Sequence, residues 1–191
     1  MNTELKNSVK FYLNFRYTVE KIIIVLILPL ILGINFFVFI YISIYLKKRI
    51  IFRQKRPGKD CQPFTLLKFR TMDDEGNIPA SLEFVRLHRF DEVPQFINIL
   101  KGEMSLIGPR PEPWPYFKQI IEIFPEYRSR YRIKPGLTGL AQVEYQHTLT
   151  IEEAKMKYNY DMKYINSISL INDIKILFRT VSVLFTSKGA K

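Results

Sequence analysis

The sequence predicts an α+β protein, mostly helical, in which a long apolar helix precedes a small β-hairpin and several amphipathic helices. Three observations carry this. Residues Ile22 to Leu46 hold no charged side chain. Two short strand-like runs, Ile50 to Gln54 and Phe64 to Phe69, flank Pro57-Gly58. Beyond residue 80, apolar residues recur at helical spacing in several stretches. The chain divides into residues 1–49, a membrane-embedded helix with basic flanks, and residues 50–191, a mixed domain.

The apolar run comes first. As a helix it would be about 37 Å long, enough for a hydrocarbon core of about 30 Å. It is too long for a signal-peptide core and lacks a small-residue cleavage site, so it is read as retained. Pro29 lacks the N–H that would reach the carbonyl of Val25, so a kink or break is expected there. Lys6, Lys10, Arg16 and Lys21 precede the run, and Lys47, Lys48, Arg49, Arg53, Lys55 and Arg56 follow it. The stronger cluster belongs in the cytoplasm by the positive-inside rule. Basic residues on both sides leave a spanning and a re-entrant helix equally open.

In the remainder, Lys59 to Gln62 connect the two strands as a hairpin. Asp73 to Asn77 is an acidic loop. Ser81 to Arg89 is helical, and Val93, Phe96, Ile97 and Leu100 mark one face of the next helix, which Lys101-Gly102 ends. Tyr116 to Phe124 forms a helix stopped at Pro125. Glu152 to Tyr164 and Leu170 to Leu184 are the last two helices. The final one is strongly apolar along Ile171, Ile174, Ile176, Leu177, Val181 and Leu184, and two placements suit it: on the membrane surface or against the first helix.

Composition narrows the function. Lys and Arg number 29 against 18 Asp and Glu, a net charge of +11. The mean hydropathy of −0.04 averages one membrane segment with one basic domain. The lone Cys61 excludes an internal disulfide and points to a reducing compartment. His88 and His147 alone argue against a histidine metal site. Walker A, G-x-G-x-x-G, G-x-S-x-G and H-E-x-x-H patterns are absent.

Three motifs remain. In Arg86-Leu-His-Arg89-Phe-Asp91-Glu92-Val-Pro94, Asp91 stands at a helix start, which would keep its carboxylate ionised; a plain N-cap with an acidic first turn reads equally well. Adjacent residues do not share a helix face, so Asp91 and Glu92 are expected to differ in role. In Gly108-Pro-Arg110-Pro111 the prolines hold Arg110 extended, as a bidentate phosphate ligand or a solvated turn residue. In Lys134-Pro-Gly136-Leu-Thr-Gly139-Leu-Ala-Gln142 the glycines permit close backbone approach, to a ligand or within a structural loop. Lys68 and Arg70 alternate with apolar residues, so both could face an anion from one side of a strand.

Taken in order, these stretches resemble the bacterial sugar transferases, the monotopic phosphoglycosyl transferases. The resemblance rests on Ile51-Phe-Arg-Gln-Lys-Arg-Pro-Gly58, Leu67-Lys-Phe-Arg-Thr-Met72, the long block from Asp91 to Pro111, Lys134 to Val143, and Asp161-Met-Lys-Tyr164 through Asn172-Asp173. It implies transfer of a sugar-1-phosphate from a UDP-sugar to a polyprenol phosphate, with UMP released. It implies Mg²⁺ as cofactor, work at the cytoplasmic face of the bacterial inner membrane among its lipids, and a re-entrant helix broken at Pro29. Leu28 stands where the family usually has Ser.

By the same resemblance Asp91 is the nucleophile and a Mg²⁺ ligand, and Glu92 is its partner. Arg110 binds phosphate, and Lys68, Arg86 and Asp173 match positions linked to activity. The segment before the dyad is shorter than usual. Arg86 keeps the family spacing, Arg89 is its rival, and His88 replaces a small polar residue. The basic charge is then expected to serve lipid headgroups and phosphates rather than nucleic acid. Family members can dimerise, although no interface signal is visible here. The chain reads as a minimal catalytic unit without the extra N-terminal membrane helices of larger relatives. A non-catalytic membrane-surface protein that binds anionic lipid through its basic residues is the alternative.

Overall fold

The structure, a computed structural model, describes residues 4–46, 49–73, 75–145 and 150–186, with side chains as far as residue 183. Lys47 and Lys48 of the basic flank, Asp74 of the acidic loop, His147 and the side chain of Leu184 lie outside the described residues.

The apolar run belongs to two helices, α1 (Asn7–Leu26) and α2 (Leu28–Tyr45). The break falls at Ile27 (φ −93°, ψ 6°), two residues before Pro29, which takes a first-turn position of α2. There its missing N–H costs nothing, whereas a continuous helix would drive its ring into the preceding turn. α1 reaches back into the polar N-terminal segment and buries Leu13, Arg16, Glu20 and Ile24, a stripe at helical spacing. α2 has a mean hydropathy of 2.1 and is long and apolar enough to cross a membrane by length and composition. It buries only Ile31 and Ile42, against β2 and α3, and leaves Leu30, Phe36, Phe37 and Ile44 exposed.

β1 (Ile51–Pro57) and β2 (Pro63–Phe69) form the expected antiparallel hairpin, in register from Ile51↔Phe69 to Pro57↔Pro63. β2 buries Phe64, Leu66 and Phe69. α3 (Ala80–Leu87) stops short of the expected Arg89, which takes a left-handed conformation (φ 58°). In α4 (Gln95–Lys101) the buried anchor is Ile99, with Gln95 and Asn98; Ile97, expected inside, points outward. The Asn98 amide explains the rotation, because it donates to Thr65 O and accepts from Leu67 N, tying α4 to β2. Gly102 (φ 81°) ends α4 as expected.

A second sheet was not visible in the sequence pattern. β3 (Ser105–Ile107) and β4 (Gly136–Thr138) pair in parallel, Ser105 opposite Gly136 and Ile107 opposite Thr138. The glycines of the Lys134–Gln142 motif serve close approach to the Gly108 backbone beside this pairing. A Cβ on Gly136 would lie 2.1 Å from Gly108 N, and one on Gly139 would lie 2.2 Å from Gly108 O.

The rest is helical. α5 (Trp114–Ile123) leads into a 3₁₀ stretch, Pro125–Arg132, that buries Tyr127, Arg130 and Tyr131. α6 (Leu140–Glu144) follows β4. α7 (Ile151–Asn166) opens with a capping box between Thr150 and Glu153. α8 (Leu170–Thr186) buries Ile176 against Leu13 of α1 and exposes Ile171, Phe178 and Val181.

Candidate active site

Asp91 and Glu92 lie in a single 3₁₀ turn, Phe90–Glu92, between α3 and α4. The expected helix start at Asp91 is therefore displaced, since α4 begins at Gln95 and Asp91 caps nothing. Both side chains are nevertheless buried. β2 passes beside the turn and brings the Lys68 Nζ to 4.0 Å from Asp91 Oδ2. No hydrogen bond to the Asp91 carboxylate is made by the described residues.

Glu92 is held on two sides. Arg110 Nη2 donates to Oε1 at 2.6 Å and Nη1 to Oε2 at 3.3 Å, while Arg89 Nη1 donates to Oε1 at 3.2 Å. The extended Arg110 expected from the prolines thus presents its fork to a carboxylate of the same chain, leaving the guanidinium partly open to solvent.

These surroundings split the two carboxyls. Burial, then the neighbouring Glu92 charge, pushes Asp91 up to about 6, opposed by Lys68, Arg86 and Arg110. The helix-start argument anticipated the opposite direction. The 3₁₀ turn offers no helix start to lower it and the carboxyl is buried, so Asp91 stays mainly ionised at neutral pH by a narrower margin than expected. Burial would raise Glu92 too, but Arg110, aided by Arg89 and Lys68, overrides it and holds Glu92 at about 2.

Behind the site, two arginines grip the Pro-Arg-Pro turn by its backbone. Arg56 Nη1 donates to Pro111 O at 2.6 Å and Arg130 Nη2 to Arg110 O at 3.1 Å. Burial, then the charge of Arg110, lowers Arg56 to about 10. Arg130 is fully buried, 2.5 Å from Asp161, and shares Glu112 with Lys157 and Tyr127. Of these, only Arg56 and Asp161 fell within stretches the sequence singled out.

The structure brings together Asp91, Glu92, Lys68 and Arg110. Arg86, in the last turn of α3, bears electrostatically on Asp91, so Arg86 and Arg89 both join the site, each toward a different carboxylate. Asp173 stands apart. Its Oδ2 accepts from Tyr12 at 2.7 Å and Arg16 at 2.8 Å, and its Oδ1 from Tyr164 at 2.7 Å. With both oxygens so engaged and the residue buried, Asp173 tethers α1 and α7 to α8.

A cavity of about 460 Å³ opens beside Glu92, Arg89 and Arg110. Its other walls are largely apolar: Phe90, Val93, Phe96, Leu137, Val143 and Leu177. His88 lines it as well, with Nδ1 3.0 Å from Phe84 O. Among the described residues no group of three or more His, Cys, Asp or Glu converges on a metal-sized site. The open Asp91 carboxylate still fits Mg²⁺, which characteristically takes one or two carboxylates and completes its shell with water and substrate phosphates.

The profile of the bacterial sugar transferases matches residues 11–187. The chain belongs to the bacterial sugar transferase family. It is 36% identical over 187 residues to a UDP-glucose:undecaprenyl-phosphate glucose-1-phosphate transferase of Klebsiella pneumoniae, covering 90% of this chain and 39% of that protein. It is 39% identical over 155 residues to a transferase of the same name from Caulobacter vibrioides, covering 73% and 58%. It is 35% identical over 155 residues to a UDP-N-acetylgalactosamine-undecaprenyl-phosphate N-acetylgalactosaminephosphotransferase of Aeromonas hydrophila, covering 74% and 37%. The chain thus spans between 37% and 58% of the length of these three curated relatives.

Proposed function

We propose that this protein transfers a sugar-1-phosphate from a UDP-sugar to a polyprenol phosphate, undecaprenyl phosphate in bacteria, and releases UMP. The carrying observation is the split pair: an ionisable Asp91 without hydrogen bonds from the described residues next to a Glu92 fixed as an anion by Arg110. The names of the relatives support the donor and acceptor classes.

Asp91 attacks the phosphorus that bears the sugar, the bond from that phosphorus to the bridging oxygen breaks, and UMP departs with the electron pair. An aspartyl-phosphosugar remains. A lipid phosphate oxygen then attacks the same phosphorus, the acyl-phosphate bond breaks, and Asp91 returns as a carboxylate. Neither step consumes a proton, so Glu92 serves as an anchor that orients Arg110 and not as a base. Lys68, Arg86 and Arg110 receive the phosphate oxygens. Mg²⁺, when bound to Asp91 and phosphate, neutralises charge that would otherwise repel the attacking carboxylate. The apolar cavity beside Arg110 suits the first isoprene units of the acceptor.

The same reading places α2 in the membrane as the re-entrant partner of α1, broken at Ile27, and the exposed apolar face of α8 on the cytoplasmic surface of the inner membrane. The test uses detergent-purified protein, undecaprenyl phosphate, Mg²⁺ and a panel of UDP-sugars. At least one donor yields UMP, and Asp91→Asn abolishes it. If no donor yields UMP above the Asp91→Asn background, the protein is a non-catalytic membrane-surface binder.

A further inference from the structure

Lys134 opens the third sequence motif but plays no part in the chemistry above. Its Nζ stands 4.4 Å over the Tyr17 ring. Both its Nζ, at 3.4 Å, and the Nζ of Lys21, at 3.3 Å, approach the point where a side chain on Gly102 would begin. Lys59 lies close enough for its charge to act on Lys134. Among the described residues none of the three lysines has a carboxylate at ion-pair distance. Glu20, the acid that acts on Lys134, is committed to Arg16 and Ser105, and Glu103 accepts from Asn98. The end of α4 does not require them as caps, because Gly102 N–H already donates to Ile99 O and Glu103 N–H to Asn98 O. Like charges at this spacing repel, and a phosphate between them converts the repulsion into attraction.

The location indicates which phosphate. Lys21 is the last charged residue of α1, and the residues that follow turn apolar side chains outward, Ile22 54% and Leu26 74% exposed. The ammonium groups therefore sit where the helix leaves the aqueous side. We infer that Lys21 and Lys134, beside the bare Gly102, form a binding site for the phosphate of an anionic phospholipid headgroup. This rests on the membrane placement of α1 and α2 proposed above. A lipid held there would fix the depth and tilt of the helix pair beneath the catalytic domain.

Full-length protein is incorporated into vesicles of phosphatidylcholine alone, or mixed with phosphatidylglycerol, and retained lipid is counted by native mass spectrometry. Wild type retains phosphatidylglycerol in preference to phosphatidylcholine. The Lys21→Gln/Lys134→Gln variant loses that preference by about 25-fold, roughly fivefold per lysine. Lys21→Arg/Lys134→Arg keeps it, and so does Lys118→Gln, which removes an exposed charge elsewhere. Equal retention by wild type and the Gln variant overturns the headgroup site. Displacement of the lipid by millimolar inorganic phosphate, or by undecaprenyl phosphate in its place, overturns it in favour of a free phosphate or of the acceptor. Failure of wild type to enter phosphatidylcholine vesicles refutes the membrane placement itself.

Discussion

Asp91, the proposed nucleophile, is held in a state that works against the fold, and this can be measured. A carboxyl raised from its ordinary 3.8 to about 6 binds its proton more tightly folded than unfolded. Below pH 3.8 it is protonated in both states and carries no penalty. As pH rises through about 6 the folded protein must ionise a group that burial and Glu92 disfavour. At about 1.4 kcal/mol for each pH unit, the cost above pH 7 is roughly 3 kcal/mol. Asp91→Asn keeps the shape of the protonated acid and never ionises, so at pH 7.5 it should be more stable than wild type by up to that amount. For a domain of this size that is roughly 6–12 °C in Tm. The assay is thermal unfolding in detergent without Mg²⁺, monitored by intrinsic fluorescence, at pH 7.5 and at pH 4. The gain should be large at pH 7.5 and nearly absent at pH 4, while UMP release is lost at every pH. A variant no more stable than wild type at pH 7.5, or a gain equal at both pH values, refutes the reasoning.

Other expectations follow from the same geometry. Arg110→Lys replaces the fork on Glu92 by a single charge, and UMP release should fall roughly a hundredfold; steady-state assay at saturating donor checks this. Arg130→Met leaves Glu112 and Asp161 with one fewer buried cation and should cost about 3–5 kcal/mol, read by thermal unfolding. Gly136→Ala should prevent folding, as judged by size-exclusion profile, whereas Gly33→Ala, with nothing within 4 Å of the added carbon, should behave as wild type. Pro29→Ala should allow α1 and α2 to join. A Lys10→Cys probe in a Cys61→Ser background, expected under the proposed topology to be labelled only from the cytoplasm while Pro29 is present, should then become reachable from the periplasm.

What the sequence revealed depended on range. The hairpin, the helix stop at Gly102 and the break near Pro29 all arise from neighbours within a few residues, and local pattern located them; the helix start expected at Asp91 came out four residues later. Ser105–Ile107 and Gly136–Thr138 are too short to show a period of two, so their parallel pairing was invisible. Only the close approach at Gly108, Gly136 and Gly139 reveals it. Likewise Arg16 with Asp173 and Arg130 with Asp161 are charges far apart in sequence, and a charged residue at a buried position reads locally as surface. Asp173 entered through the family resemblance alone, and the spacing that put Ile97 on the apolar face took no account of the Asn98 amide tied to β2.

Adjacent carboxylates normally perturb each other toward one ionised and one neutral, and which takes which role is decided by the cations around them. Here Arg110, fixed from behind by Arg56 and Arg130, stands nearest Glu92, while Lys68 remains 4.0 Å from Asp91. The permanent anion is therefore Glu92, and its charge is one reason Asp91 rises. A donor diphosphate arriving at Arg110 must compete with Glu92 for the same fork. In the proposed reaction a donor oxygen that engages Arg110 would share the fork with Glu92 and set the transferred phosphorus beside Asp91, whose carboxylate accepts no hydrogen bond from the described residues. The Pro-Arg-Pro turn, gripped through its backbone by Arg56 and Arg130, thus holds Arg110 in place beside the carboxyl pair.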